Sequence, residues 1–249
     1  MNTEKDWTPS PDSPAQQSLL HNASNIISVT SHELKTPLTA ISATVELLAA
    51  KLQADDLLNA FYKKHLASIT TEIFHMNSLL DEMLTLHNII SGSIETTKEY
   101  VDVQQVVLQL KEQYFTDATN NRTLEVNITG QSFHISVNKN QLARILINLI
   151  GNAFKFSISN NPVLLLDYQQ EYLFIQITDD GIGIPAADLP YLFRPYYRGS
   201  NASGIDGTGL GLSIVKAFVK ENEGDITVES IQGKGTIFRL SFKNPYFFL

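Results

Sequence analysis

The sequence predicts a two-part fold: an all-α helical hairpin that forms a four-helix bundle as a dimer, followed by an α+β sandwich with one sheet covered by helices on a single face. Three observations carry this. Apolar residues at Leu34, Leu38, Ile41, Val45, Leu48 and Leu52 are spaced four, three, four, three, four, which is the spacing of a coiled-coil seam. A second run covers Leu66, Ile69, Ile73, Met76, Leu80, Met83 and Ile90, spaced by threes and fours up to Met83 and then by a full heptad of seven. After Ser91-Gly92-Ser93 the pattern changes to short helices and strands that do not strictly alternate.

Taken in order, residues 1–17 read as a disordered tail or linker stub, with Pro9, Pro11 and Pro14 among polar residues that cannot bury a core. Residues 18–93 form the hairpin, its first seam entered at Ile27. Between the seams, Ala54 to Asn59 holds no Gly or Pro, so the turn is inferred from the change of phase and from Asp55-Asp56. A two-helix hairpin buries little apolar surface alone, so a homodimer is expected.

Residues 94–249 form the second domain. A helix is expected at 103–118, strands at 123–128 and 133–137, and a helix at 139–156. Strands at 162–168 and 171–178 make a hairpin over Gln169-Gln170. A long loop then runs to 208, followed by a helix at 209–221 and strands at 225–230 and 235–242. The closing Tyr246-Phe247-Phe248-Leu249 reads as a tail packed on the domain.

Composition narrows the function classes. With 249 residues, 43% hydrophobic and 18% charged, the chain reads as globular. A net charge of −8 argues against nucleic acid as the main partner. The absence of cysteine excludes disulfides, thiolate metal sites and a cysteine nucleophile. No apolar run approaches the ~20 residues a bilayer requires, which places the chain in the cytoplasm, alone or as the soluble end of something longer.

The first candidate site lies on the first seam helix. With Leu34 and Ile41 at d, His32 falls at b, on the solvent side, with a carboxylate after it at Glu33 and a hydroxyl one turn on at Thr36. A lone helical histidine is usually a surface or capping residue. Pro37 weighs toward function, because it cannot donate to the carbonyl of Glu33 and should kink or loosen the helix within a turn of His32.

The second candidate lies on the helix at 139–156, where Asn148, Asn152 and Lys155 fall at i, i+4 and i+7 and so share one face. Two carboxamides and an ammonium suit a triphosphate with its metal; a solvated face is the plainer reading. Thr178-Asp179-Asp180-Gly181-Ile182-Gly183-Ile184-Pro185 follows at a strand end. There the glycines allow close backbone approach to a flat ligand, and a carboxylate can accept from an exocyclic amine. Gly207-Thr208-Gly209-Leu210-Gly211-Leu212 opens a helix, where backbone N–H groups make an anion site. It is neither a Walker A sequence nor a dinucleotide fingerprint. Between them, Leu192-Phe193-Arg194-Pro195-Tyr196-Tyr197-Arg198-Gly199 and the Ser-, Asn- and Gly-rich run after it read as an anchored lid, with Arg198 aimed at phosphate. His21, His65, His75, His87 and His134 show no zinc-site spacing.

In this order the motifs resemble the histidine protein kinases of two-component signalling. His32 to Leu38 looks like the family's H box, Asn148 to Phe156 its N box, and Asp179 to Gly183 its first glycine box. Phe193 to Tyr196 looks like the F box and Gly207 to Gly211 the second glycine box. The resemblance implies a dimerisation and phosphotransfer hairpin followed by an ATP-binding domain of the Bergerat type.

By matching position, His32 would accept the phosphoryl group, Glu33 would take the imidazole proton, and Thr36 would position water for dephosphorylating the partner. Asn152 with Asn148 would hold Mg²⁺, Lys155 and Arg198 would meet the phosphates, and Asp179 the adenine amine. Phe156, Gly181, Gly183, Gly207, Thr208, Gly209, Leu210 and Gly211 complete the ATP site.

The implied partners are a second copy, the receiver domain of a response regulator, and an upstream sensor domain or separate input protein. ATPases of this nucleotide fold typically carry a water-activating Glu where Asn148 stands, which disfavours hydrolysis. An ATPase clamp and a non-catalytic scaffold of the same fold are the competing readings. Asn138 and Phe156 depart from the Asp and Tyr that many members carry.

Overall fold

The structure is a computed structural model that describes residues 14–92, 97–115, 122–205 and 207–247; for residues 14–32 and 90 it describes the backbone alone. The chain divides into two compact units, Met1–Ile94 and Glu95–Leu249.

The first unit is a hairpin of α1 (Pro14–Ala54) and α2 (Ala60–Ile90). Helix α1 begins within the stretch expected to be a tail, with Pro14 at its first position, where a fixed φ and a missing N–H cost little. The rest of that tail lies outside the described residues. Helix α1 runs on through Pro37, so one missing backbone bond does not end it. The turn is made without glycine: Asp56 adopts a left-handed φ of 55°, and the Asn59 side chain caps α2 by accepting from the Tyr62 N–H at 3.1 Å.

The two seams are each divided by register. Leu38, Ile73 and Leu80 are buried against one another, with Val45 packed on them. Leu34, Ile41 and Leu48, at the other heptad position of α1, stay 45%, 47% and 50% exposed. Ile69 and Met76 of α2 are exposed at 44% and 49%. One half of the seam therefore closes the hairpin and the other half is left uncovered. Lys35 and Asp81 form an ion pair across the hairpin; it is partly exposed and so adds little stability.

The second unit contains β1 (Glu99–Val101), α3 (Val103–Tyr114), β2 (Glu125–Gly130), β3 (Ile135–Val137) and α4 (Lys139–Phe156). These are followed by β4 (Val163–Tyr168), β5 (Tyr172–Asp179), α5 (Gly211–Glu221), β6 (Asp225–Ile231) and β7 (Gly235–Lys243). Its main sheet has the order β2-β4-β5-β7-β6, with β2 and β4 parallel and the other neighbours antiparallel. Alternate residues Leu164 and Leu166, Leu173, Ile175 and Ile177, and Phe238, Leu240 and Phe242 are buried. They meet Leu142, Ile145, Leu146, Leu149 and Ile150 of α4 and Ile214, Val215 and Phe218 of α5, also buried. The other sheet face carries the half-buried Leu165, Gln176 and Arg239, so the helices cover a single face, as the sequence predicts.

Some boundaries differ from expectation. The helix expected to reach 118 ends at Tyr114, and 116–118 lie outside the described residues. The strand expected at 123–128 sits at Glu125–Gly130. The short β1 is new and pairs antiparallel with β3. Asn138 caps α4 by accepting from the Gln141 N–H at 3.0 Å, while its Nδ2 donates to the Thr97 carbonyl at 3.2 Å. An aspartate could make the first bond but not the second. Among the described residues no helix is long and apolar enough to cross a membrane.

Candidate functional site

Helix α4 is strongly amphipathic: Leu142, Ile145, Leu146, Leu149, Ile150 and Ala153 face the core. That leaves Asn148 and Asn152 half-buried and Lys155 exposed along the opposite stripe. The stripe meets the start of α5. A Cβ added to Gly211 would lie 2.2 Å from Oδ1 of Asn148, so a side chain there would displace the carboxamide from the start of α5. A Cβ on Gly207 would lie 2.9 Å from Nζ of Lys155. The Lys155 ammonium also sits 5.3 Å from the ring centroid of Phe156. Helix α5 opens at Gly211 with no side-chain cap at Leu210, whose own N–H donates to Oγ1 of Thr208 at 3.0 Å. Its first N–H groups therefore form the positive end of a helix beside the Asn148 carboxamide, with the Lys155 ammonium close to Gly207 just before it.

A second wall comes from the end of β5. The Asp179 carboxylate accepts from the Gly181 N–H at 2.8 Å. Burial is the main influence on this carboxyl and pushes its pKa up, while the Gly181 N–H opposes the shift. Asp180 beside it behaves in the opposite way. The Ser157 hydroxyl donates to it at 2.5 Å and the Asn160 N–H at 3.3 Å, and the Ser157 bond is the main cause of its lowered pKa. The glycine turn is bound to α4, since the Ile182 N–H donates to the Phe156 carbonyl at 3.2 Å. Gly183 has a φ of +60°, and a Cβ there would strike the Ile231 carbonyl oxygen at 2.0 Å, so no side chain fits.

The lid begins at a short 3₁₀ turn, Leu189–Tyr191. The Arg194 guanidinium stacks 4.5 Å over Tyr191. Tyr196 takes a positive φ of 62° with its ring exposed. Arg198 donates to the carbonyls of Ala202, at 3.1 Å, and Ile205. Asn201 Nδ2 donates to the Gly183 carbonyl at 2.8 Å, tying the lid to the first glycine turn.

In the second unit, Asn148, Asn152, Lys155 and Phe156 thus lie on α4, while Asp179, Gly181, Gly183, Arg198, Gly207, Thr208, Gly209, Leu210 and Gly211 lie on the end of β5, the loops after it and the start of α5. His32, Glu33 and Thr36 lie on α1 of the first unit. The His32 side chain is outside the described residues, and Glu33 and Thr36 are exposed. Asp188, which holds the lid, carries no sequence signal, because its partners come nine and twelve residues later in an irregular loop. No group of three or more His, Cys, Asp and Glu able to hold a metal occurs among the described residues, so a cation here would rest on the asparagine carboxamides.

The model of the histidine kinase-, DNA gyrase B- and HSP90-like ATPase family matches residues 137–246. The model of the His Kinase A (phospho-acceptor) domain matches residues 22–92. The chain is 28% identical over 243 residues to the sensor histidine kinase WalK of Bacillus subtilis, covering 94% of this chain and 38% of that protein. It is 31% identical over 222 residues to the signal transduction histidine-protein kinase ArlS of Staphylococcus epidermidis, covering 85% of this chain and 46% of that protein. The chain spans less than half the length of these relatives.

Among solved structures, full-length ShkA in complex with AMPPNP superimposes with a TM-score of 0.72 at 22% identity, covering 88% of this chain and 45% of that one. The histidine kinase AdeS of Acinetobacter baumannii gives 0.58 at 23% identity, covering 85% of this chain and 97% of that one. These two establish the fold. With a phospho-acceptor hairpin followed by an ATPase domain, each carrying its motifs in order, the chain belongs to the sensor histidine kinases of two-component systems.

Proposed function

We propose that this chain is an ATP-dependent protein-histidine kinase that phosphorylates its own His32 and passes the phosphoryl group to an aspartate in the receiver domain of a response regulator. The observation that carries the reading is the contact of Asn148 with Gly211, which joins the carboxamide stripe of α4 to the anion-binding start of α5.

ATP is the phosphoryl donor, a ligand in keeping with the AMPPNP complex of ShkA. Asn148 and Asn152 would hold Mg²⁺, which supplies charge neutralisation for the triphosphate when bound. Lys155 and Arg198 meet phosphate oxygens, and Asp179 accepts from the adenine amine. The neutral imidazole of His32 attacks the terminal phosphorus, a P–N bond forms as the bond to ADP breaks, and Glu33 takes the imidazole proton. With Asn148 in place of a glutamate, the site has no group there to activate water, which favours transfer to His32 over hydrolysis.

In the reverse role, Thr36 positions water for dephosphorylating the response regulator. The uncovered register of Leu34, Ile41, Leu48, Ile69 and Met76 is closed by a second copy, giving a four-helix bundle. The chain works on the cytoplasmic side, with input from an upstream sensor domain or a separate protein.

The direct test is incubation of the purified protein with γ-labelled ATP and Mg²⁺. Label that is acid-labile and alkali-stable supports a phosphohistidine, and absence of protein-bound label would sink the kinase reading. Two further outcomes are expected. Gly211→Ala should push Asn148 off the start of α5 and raise the KM for Mg-ATP about tenfold, taking ~1–3 kcal/mol as the usual cost of overpacking. A steady-state titration of labelling against ATP measures it, and circular dichroism should show the fold retained.

The second outcome concerns pH. Because burial raises the pKa of Asp179, its carboxylate protonates at a higher pH than an ordinary one, and adenine affinity should begin to fall correspondingly early on acidification. The sign for stability is opposite: a raised folded pKa contributes stability below the unfolded value and loses it as pH rises through the folded value. Binding should therefore weaken over this range without unfolding by this residue. Calorimetric titration across pH, with Asp179→Asn as a variant lacking this dependence, is the check.

A further inference from the structure

Among the described residues Asp188 is the only Asp or Glu that is buried, at 7% exposure. No part of the proposed chemistry uses it. Three donors satisfy it, all from one stretch of the lid: the Tyr197 hydroxyl at 2.8 Å, the Ser200 N–H at 2.7 Å and the Ser200 hydroxyl at 2.9 Å. The Ser200 N–H is the main cause of its lowered pKa, so the carboxylate stays ionised and its bonds are of the stronger, charge-assisted kind. Arg198 lies between the two residues so held. From 199 to 215 the chain has no Lys or Arg, so Arg198 is the last cation before α5.

Beyond Ser200, Asn201 is bonded to the Gly183 carbonyl, so the lid is fixed on both sides of Gly199 and Ser200. A Cβ on Gly199 would come within 3.3 Å of Asn201 Oδ1 and 3.6 Å of Asp188 Oδ2, so the turn lies against the Asn201 side chain and beside the carboxylate. Among the described residues, the guanidinium of Arg198 donates to the carbonyls of Ala202 and Ile205. Its backbone is flanked by the two residues that Asp188 holds, while its head rests on neutral carbonyl acceptors that phosphate oxygens could replace.

We propose that Asp188 is a positioning residue for Arg198: by holding Tyr197 and Ser200 on either side, it fixes the backbone from which the guanidinium reaches the phosphates of ATP. This rests on the nucleotide reading above. Asp188 acts chiefly on the phosphate end of the ligand, because the adenine end is held by Asp179, at the end of β5, whose carboxylate is fixed by the Gly181 N–H. Removing the carboxylate charge therefore separates the two ends of one ligand.

The test uses the full chain with Asp188→Asn and Tyr197→Phe, the latter deleting one hydroxyl and keeping the ring. Affinities for AMPPNP and for adenosine are measured by calorimetry or displacement, together with KM and kcat for labelling. Asp188→Asn is expected to lose about tenfold in AMPPNP affinity and Tyr197→Phe about threefold, on the scale of one or two charge-assisted hydrogen bonds. Adenosine affinity should stay within about twofold of wild type, and KM should rise more than kcat falls.

A folded Tyr197→Phe or Asp188→Asn that keeps the wild-type ratio of the two affinities would overturn the proposal. So would equal losses for both ligands, which would mark a merely structural role. If Asp188→Asn fails to fold, Tyr197→Phe decides. A wild-type chain that binds no AMPPNP would instead remove the nucleotide reading on which the proposal stands.

Discussion

His32→Gln is expected to remove all acid-labile, alkali-stable label that the wild-type protein acquires from γ-labelled ATP. The substitution is well suited to this question. Position 32 is a b position of the α1 seam, outside the apolar stripes, and glutamine is a good helix former, so the helix should be kept. What disappears is the nucleophile: a carboxamide nitrogen is delocalised into its carbonyl, whereas a neutral imidazole nitrogen carries a free lone pair near neutral pH. Labelling should fall at least about a hundredfold, to background, with nucleotide affinity unchanged because the residues proposed to bind ATP lie in the other unit. Equal label on both proteins would mean that the phosphoryl group goes elsewhere, and would return the chain to the scaffold or ATPase readings.

Asn152→Ala should have an effect of similar size from the other end of the reaction. Asn152 sits half-buried on α4 in the polar stripe, one position before the buried Ala153. Alanine is the better helix former by roughly half a kcal/mol, so α4 should lose no stability. The carboxamide oxygen is one of the two proposed cation ligands, and a cation that relies on neutral ligands tolerates the loss of one poorly. Labelling should drop at least about a hundredfold, with partial recovery at high Mg²⁺, while light scattering still reports the proposed dimer. Loss of the dimer or of the thermal transition would mean that this face of α4 is structural.

How far the sequence could be read depended on how many local signals agreed. Helix α4 was readable to its ends because an apolar period and a polar stripe point to one element, and the structure adds the Asn138 cap. The three-residue β1 was not, since only Val101 is buried and no alternation can develop in so short a run. The turn of the hairpin hid its geometry because a non-glycine residue, Asp56, takes the left-handed conformation.

The seams show a deeper reason. Leu34 and Leu38 are the same residue type four positions apart, yet one is exposed and the other buried in the protomer. Which leucine faces α2 depends on how two helices meet, and no local pattern encodes that. In the site, residues with spacing constrained by one helix or one turn, such as Asn148, Asn152, Asp179 and Gly211, stand out from sequence. Asp188 does not, because its role depends on where an irregular loop returns.

The divided seam also bears on how the molecule responds to dilution. The α+β unit carries a core closed within one chain, with Ile145, Leu149, Ile175 and Leu240 fully buried. The hairpin keeps only half of its seam to itself. If a second copy closes the other half, the free energy of that unit includes a mass-action contribution that grows with the logarithm of protein concentration. The acceptor end would then loosen as the chain becomes scarce while the nucleotide end stays folded, making abundance itself a condition for phosphoryl transfer.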